Sequence, residues 1–232
     1  MRKKRNGVTR SATAPALHHS MSAEEQKVLE YYTQAQEARQ AGDNAAALNH
    51  LRACLEVLRL TTDRLSQGRV CALMGDIHAG ANEPSESLAC FELAAACLTA
   101  PEAKRERLMV LFRVAQAARS IGQDGKALEI YDEIIRVTQA LRDVRSEGMA
   151  RALRGEVVFD RGGQFDGLHQ MLLGLTRLRT VKAPEAETII EHIRHYGSQV
   201  PRKQYQELLE DELDSHNLKL KLLAALPPAG AK

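Results

Sequence analysis

The segment SIGQDGKALEIYDEII, residues Ser120–Ile135, decides the fold. It contains two glycines three residues apart, Gly122 and Gly125, and continues directly into a long amphipathic run. Glycine accepts positive φ without strain and is the residue that most often ends a helix. The segment therefore predicts the turn of a helical hairpin, in which Gly122 ends one helix and Gly125 eases entry into the next.

The residues around this turn recur with a period of forty. Five positions keep their chemical character through four copies without an insertion. They are a small residue at Ala35, Gly75, Ala115 and Gly155, a turn former at Gly42, Asn82, Gly122 and Gly162, a second small residue at Ala47, Ser87, Ala127 and Gly167, a leucine at Leu48, Leu88, Leu128 and Leu168, and a large apolar residue at Leu51, Phe91, Tyr131 and Met171. Self-similarity at a period of this length indicates a repeat architecture.

Each copy predicts an antiparallel helical hairpin. The first small residue lets the first helix approach its partner closely, and the turn former ends that helix. The pattern small–Leu–x–x–large is the buried stripe of a second helix, because residues three and four apart share one face. One hairpin cannot bury its own apolar face, but a stack of four can. We therefore expect an all-α protein.

The spacing resembles that of tetratricopeptide repeats. The best copy has Ala115, Gly122, Ala127 and Tyr131 at the family's positions, and a weaker copy has Gly75, Asn82, Ser87 and Phe91. The resemblance covers roughly residues 24–180 and implies a right-handed α-solenoid of antiparallel hairpins. The usual repeat has about 34 residues, so a period of forty implies longer helices. Two residues depart from the pattern: Arg151 replaces a large apolar residue of a first helix, and Pro84 replaces a mid-loop residue.

We expect the chain to divide into four segments. They are a basic disordered tail over residues 1–22, four repeats over 23–180, a capping helix pair or degenerate fifth repeat over 181–226, and a loose end over 227–232. In the third segment one helix is expected from Pro184 to Tyr196, closed by Gly197, and a second from Pro201 to about Leu226. The apolar side of the second helix would carry Leu208, Leu209, Leu213, Leu220 and Leu223.

The resemblance further implies that the first helices line a concave groove and contact a partner there. The positions carried over are Leu29, Tyr32, Gln36, Arg39, Arg69, Asp76, Met109, Phe112, Arg113, Gln116, Arg119, Glu156 and Phe159. Tyr32, Met109 and Phe112 would be the apolar anchors. The side chains expected to steer acidic groups are Arg69, Arg113 and Arg119. The expected partner is thus an extended or helical protein segment with apolar and acidic residues. Alternatively, some groove positions, such as Leu73 and Leu153, only pack against neighbouring helices.

Composition and charge narrow the function classes. The chain is 44% hydrophobic and 27% charged, as in globular proteins. Residues 1–20 contain five basic residues and no acidic one. Because the whole chain has a net charge of only +2, the rest of the chain is mildly acidic. A nucleic-acid binder usually carries its basic excess on the fold, so we expect no nucleic acid. No apolar run approaches about 18 residues, which predicts no membrane span. The four cysteines form no C-x-x-C pair and indicate a reducing compartment, the cytoplasm.

Three features permit other chemistry. His192 and His195 share a helix face and could bind a metal, although zinc requires three or four ligands. The tripeptide Gly162–Gln164 matches one in peptide-release factors, but the period already requires a turn there. The run RKKR, Arg2–Arg5, could bind acidic lipid or nucleic acid or act as a nuclear address. Composition favours instead a disordered tail, or a segment that precedes the true start at Met21.

We therefore expect a non-enzymatic adaptor that holds a partner's segment in its concave groove and uses no cofactor or metal. The main alternative is a regulatory protein that senses a peptide, changes the curvature of the solenoid and thereby releases a second protein. A third hypothesis is a catalytic or metal-dependent role for His192 and His195.

Overall fold

The computed structural model describes residues 21–224. This part of the chain forms eleven α-helices and a 3-10 turn at Pro101–Ala103, and it contains no strand. The α-helices are α1 (Ala23–Gln40), α2 (Asn44–Arg59), α3 (Arg64–Gly80), α4 (Pro84–Cys97), α5 (Lys104–Ser120), α6 (Asp124–Leu141), α7 (Val144–Asp160), α8 (Gln164–Thr180), α9 (Glu185–Gly197), α10 (Arg202–Glu212) and α11 (His216–Leu223). Apart from residues 21 and 22, the predicted tail lies outside the described residues, as does the predicted loose end at 227–232.

The helices pair in chain order as α1/α2, α3/α4, α5/α6 and α7/α8, and each hairpin packs against the next. The apolar core follows the same order, from Leu51 and Cys54 in the first hairpin, through Tyr131, to Met171 and Ile193 near the carboxyl end. Such nearest-neighbour packing is what defines a solenoid. The predicted fold class, an all-α right-handed solenoid of antiparallel hairpins with capping helices, is confirmed.

The four predicted turn formers take the left-handed backbone conformation. Their φ angles are 80° at Gly42, 59° at Asn82, 74° at Gly122 and 95° at Gly162. In the third hairpin the N–H of Gly122 donates to the carbonyl of Arg119 at 3.0 Å, and the N–H of Gln123 donates to that of Ala118 at 2.9 Å. These bonds satisfy carbonyls that the end of a helix leaves without a partner, so the turn former ends the helix as predicted.

Gly125 differs from the expectation. Helix α6 begins at Asp124, so Gly125 lies inside its first turn, without a positive φ. A Cβ atom at this position would meet no atom within 4 Å. Entry into α6 therefore does not depend on a glycine at this position.

Helices α7 and α8 pack backbone to backbone. A Cβ atom on Gly155 would lie 2.5 Å from the carbonyl oxygen of Gly167, and one on Gly174 would lie 2.5 Å from that of Gly148. Both distances are far below van der Waals contact, so glycine is required at these positions. The fourth copy, whose sequence departs from the pattern at Arg151, is thus a closely packed hairpin.

The two departures from the repeat pattern have local explanations. Arg151 donates to Glu147 of the same helix at 2.9 Å. Gln139 of α6 donates to the same carboxylate at 3.2 Å. The buried carboxylate of Glu147 therefore has hydrogen-bond donors in its own helix and in the preceding hairpin. Pro84 is the first residue of α4, where the missing N–H leaves no helical bond unmade.

The carboxyl-terminal segment has three helices rather than the predicted two. The expected last helix is broken where Leu213 is extended, with φ −127° and ψ 127°, and Ser215 caps α11 by accepting from the N–H of Leu218. The break changes the helical phase. Leu220, predicted on the apolar side, is therefore 53% exposed, and Leu222 is buried instead.

Gly197 also has another role than the one predicted. It is the last residue of α9, and a Cβ atom there would lie 2.4 Å from the ring of Tyr205. The position therefore requires glycine for a close approach between α9 and α10, without a left-handed turn. None of the helices within residues 21–224 is both long and apolar enough to cross a bilayer.

Candidate protein-binding groove

Ion pairs between consecutive first helices identify one face of the solenoid, here called the inner face. Arg69 of α3 bonds Glu106 of α5, Arg119 of α5 bonds Glu156 of α7, and Arg145 of α7 bonds Glu185 of α9. The inner face is formed by α1, as the first helix of its hairpin, and by α3, α5, α7 and α9, which these ion pairs connect. All thirteen predicted partner-binding residues lie on the first four of these helices.

The apolar residues predicted as anchors are accessible on this face. Tyr32 of α1 is 36% exposed and Met109 of α5 is 58% exposed, whereas Phe112 is half-buried. Leu29, one turn before Tyr32 and also predicted, is 54% exposed. Gln36 donates to the hydroxyl of Tyr32 at 3.0 Å, which ties two predicted residues together.

Arg69 has its own partner within the fold. Its Nε and Nη2 donate to the two carboxylate oxygens of Glu106 at 2.8 and 2.6 Å. The hydrogen bond from Arg69 lowers the pKa of Glu106 below its ordinary value. A bidentate pair of this kind fixes the orientation of both side chains, so Arg69 bridges two hairpins.

Arg113, Asp76 and Gln116 line a cavity of about 450 Å³ between the second and third hairpins. Arg113 forms an ion pair with Asp76 and lies 5.7 Å from the centre of the Phe91 ring, within cation–π range. The structure thus brings together three residues that the sequence had predicted separately.

Arg119 is the centre of a polar cluster between the third hairpin, the fourth hairpin and α9. It donates to Glu156 at 2.7 Å, to Asp160 at 2.7 Å and to the hydroxyl of Tyr196 at 3.2 Å. Burial by itself would lower the pKa of Arg119, but these hydrogen bonds raise it overall. The guanidinium therefore bonds three groups of the fold.

Two predicted groove residues are buried by this cluster. Glu156 is 6% exposed and contacts Nδ1 of His192 at 2.6 Å, in addition to its bond from Arg119. Phe159 is 5% exposed and packs on Tyr196, with ring centroids 4.8 Å apart. Both residues connect α7 to α9. Arg39, by contrast, is exposed at the end of α1 and does not line the cavity that contains Arg113.

His192 and His195 do not converge. His192 faces Glu156, whereas the Nε2 atom of His195 contacts the amide nitrogen of Gln199 at 3.2 Å. Within residues 21–224 no group of three His, Cys, Asp or Glu side chains has an arrangement that could hold a metal ion.

A sequence signal for the bridging residues exists in their spacing. Arg69 and Glu106 are 37 residues apart, as are Arg119 and Glu156. With a period of forty, a residue 37 positions further on lies about one helical turn earlier in the next first helix, where an opposite charge can reach it. Asp76 and Arg113 have the same spacing. A search of the sequence for oppositely charged residues 37 positions apart would have found these three ion pairs, Arg69–Glu106, Asp76–Arg113 and Arg119–Glu156.

No protein-family model matches the chain, and no curated protein matches it in sequence. Solved structures do match. The apo form of RapI has a TM-score of 0.71 at 12% identity, over 84% of this chain and 57% of its own. A Rap protein complexed with competence and sporulation factor has a TM-score of 0.58 at 14% identity, over 88% of this chain and 56% of its own. The tetratricopeptide-like repeats of a Podosopora anserina kinesin light chain have a TM-score of 0.61 at 14% identity, over 87% and 98%.

The chain spans a little over half the length of the two Rap proteins. Identities of this size show the fold alone. Together with the forty-residue repeat and the left-handed turns, they establish that the chain folds as a tetratricopeptide-like helical solenoid.

Proposed function

We propose that the protein is a non-enzymatic interaction adaptor that holds a segment of another protein against its inner face. The observation that carries this proposal is the exposure of large apolar side chains on first helices. Met109 is 58% exposed and Leu29 is 54% exposed, although neither is at the end of its helix. Exposed apolar groups on an otherwise polar face are typical of interaction sites.

The arginines limit what the partner can offer. The side chains of Arg69 and Arg113 are 54% and 42% exposed, and each already binds a carboxylate of the fold. A guanidinium has five N–H donors, so both arginines can donate to a second acidic group. Arg119 bonds three groups and is only 29% exposed, so we assign it to the support of the groove.

A regulatory role is the second candidate, and the bridges between hairpins favour it. Three successive first helices are joined to the next by ion pairs on the same face that a partner would contact. A peptide that displaced one bridge would change the angle between two hairpins and thus the curvature of the solenoid. One solved structure of this fold is a Rap protein complexed with competence and sporulation factor.

Affinity capture with two matched variants tests the adaptor proposal. Met109→Glu places a charge on the inner face, and Leu93→Glu places one on a second helix, at a side chain that is 55% exposed. Because the two positions are equally accessible, the variants should have the same helicity and stability. The proposal expects a lysate protein that is captured by wild type and Leu93→Glu and is lost with Met109→Glu. Capture that depends on Leu93 and not on Met109 would assign the interaction to the other face.

A further inference from the structure

A large cavity opens between α1 and α3 at the start of the solenoid. Its volume is about 1040 Å³. Its floor is the apolar core, where Cys54, Leu58 and Val70 are each 3% exposed or less. Pockets that bind small ligands have volumes of roughly 300–1,000 Å³, so this cavity has room for several side chains of one bound segment.

The rim of the cavity is apolar and accessible. Leu29 and Tyr32 of α1 form one wall, and Leu60, which follows α2, is 84% exposed. Three large apolar side chains around an open cavity are typical of ligand-binding and interaction sites.

The cavity lies between two first helices that are connected differently from the others. Inner-face ion pairs join α3 to α5, α5 to α7 and α7 to α9, but in the described part of the chain no ion pair joins α1 to α3. The first hairpin is attached to the second by the apolar core beneath the cavity. Among residues 21–224 the space above this core is open.

The charges at the rim are acidic. Glu24 and Glu25 lie in the first turn of α1, and Asp63 caps α3 by accepting from the N–H of Ser66. Backbone and side-chain hydrogen bonds hold the pKa of Glu24 below its ordinary value, and the hydrogen bonds from Ser66 do the same for Asp63. The carboxylates of Glu24 and Asp63 are therefore ionised at neutral pH.

Two cations lie near these carboxylates. Arg69 also lines the cavity, where the bidentate bond to Glu106 holds its guanidinium. Lys27 of α1 is close enough to Glu24 to affect its pKa and does not line the cavity. Within the described part of the chain, the rim thus has three carboxylates and one guanidinium beside an apolar floor.

We propose that this cavity binds a partner segment that carries apolar side chains together with lysine or arginine. The inference rests on the proposed function and specifies the partner's chemistry at one end of the groove. At this end of the groove it differs from the partner expected from the sequence, because three carboxylates and only one arginine line the cavity within residues 21–224. The apolar side chains enter the cavity, and the basic ones pair with the carboxylates at its rim.

Two dye-labelled amphipathic peptides of equal length test this chemistry by fluorescence anisotropy. One is built from leucine and lysine, and the other from leucine and glutamate. The full-length protein is expected to bind the leucine–lysine peptide at least tenfold more tightly at low salt, and added salt should reduce this difference. Equal binding of both peptides would overturn the proposal.

Charge-neutral variants that keep the helix caps provide the second arm. The triple variant Glu24→Gln, Glu25→Gln, Asp63→Asn replaces the three carboxylates by amides. The amides preserve the capping hydrogen bonds, because Asn caps a helix as well as Asp does and Gln completes a capping box. We expect the leucine–lysine peptide to bind this variant roughly tenfold more weakly, with unchanged helicity at the temperature of the assay. Unchanged affinity would overturn the assignment to these carboxylates.

A matched leucine pair locates the site. Leu29→Ser should weaken binding of the leucine–lysine peptide about tenfold, whereas Leu93→Ser, at a side chain of almost equal exposure, should not change it. Equal effects of the two substitutions would show that the peptide binds elsewhere. A peptide of residues 1–20 that blocks the cavity would show that this chain's own segment is the occupant and would overturn the proposal of an external partner. Met109 does not line the cavity, so the result of the capture experiment with Met109→Glu does not depend on whether the cavity binds the peptide.

Discussion

Arg119 of the third hairpin donates a hydrogen bond of 2.7 Å to Glu156 of the fourth, across the inner face of the solenoid. The carboxylate is 7% exposed and the guanidinium 29%, so the pair is largely removed from water. His192 of α9 contacts the other oxygen of the same carboxylate at 2.6 Å. The buried carboxylate of Glu156 thus connects the third hairpin, the fourth hairpin and the cap. Because a buried charge without a counter-charge is costly, these elements pack together only if Glu156 is paired.

Removal of Arg119 is expected to be costly. Arg119→Met leaves Glu156 buried without its main counter-charge, which should lower the free energy of unfolding by about 2–4 kcal/mol. The double variant Arg119→Met, Glu156→Leu should lose less than the single variant, because no buried charge remains. Urea unfolding of wild type and the variants, with Glu156→Leu as the fourth corner, measures the coupling. Additive losses would contradict the account.

Gly122 and Gly125 should respond to alanine in opposite directions. Gly122 has a φ of 74°, so Gly122→Ala should destabilise the protein by about 1–2 kcal/mol. Gly125 is helical, exposed and free of contacts, so Gly125→Ala should stabilise it by about 0.5–1 kcal/mol. Thermal unfolding of the two single variants provides the comparison, and destabilisation by both would mean that α6 begins later than described.

The glycine contact between α7 and α8 predicts a third effect. Gly155→Ala places a methyl group 2.5 Å from the carbonyl oxygen of Gly167, and rigid backbone cannot move aside without opening the hairpin. We expect a loss of about 2–3 kcal/mol in the free energy of unfolding. Gly125→Ala is the matched control, since it makes the same substitution in a helix with space around it. A neutral Gly155→Ala would show that the two helices are further apart.

Much of the fold follows from the sequence because the solenoid is periodic. Leu51, Phe91, Tyr131 and Met171 are each buried at the same place in successive hairpins, so one pattern predicts four structures. The cap lies outside that periodicity. Leu213 is buried but has an extended backbone. Because it lies four residues after the buried Leu209, the sequence has the apolar spacing of a continuous helix and gives no sign of the break before Ser215.

The groove was harder to predict than the fold. Positions carried over from the repeat family identify the first helices, and Leu29, Tyr32 and Met109 are exposed as expected. Whether an arginine is available depends on its neighbours in three dimensions. The partner of Arg69 is 37 residues away, and one partner of Arg119, Tyr196, lies in a helix outside the repeats.

Acid should destabilise the fourth hairpin through Glu147. Burial raises the pKa of this carboxyl, but hydrogen bonds from Arg151 and Gln139 outweigh burial and hold it below its ordinary value of 4.5. A lowered folded-state pKa contributes stability above the unfolded-state value, and that contribution is lost as the pH falls through the folded-state pKa. Between about pH 6 and pH 3 the melting temperature of Glu147→Gln should therefore decline less than that of wild type. Parallel decline of the two proteins would exclude this role.

The central claim is that the inner face contacts a partner, and site-specific photo-crosslinking in cells tests it most directly. A photoreactive amino acid is placed at Met109 on the inner face or, in a separate protein, at Leu93, which is 55% exposed compared with 58% for Met109. The account predicts that position 109 crosslinks to one defined protein and that position 93 does not. Crosslinking from position 93 with none from position 109 would contradict it.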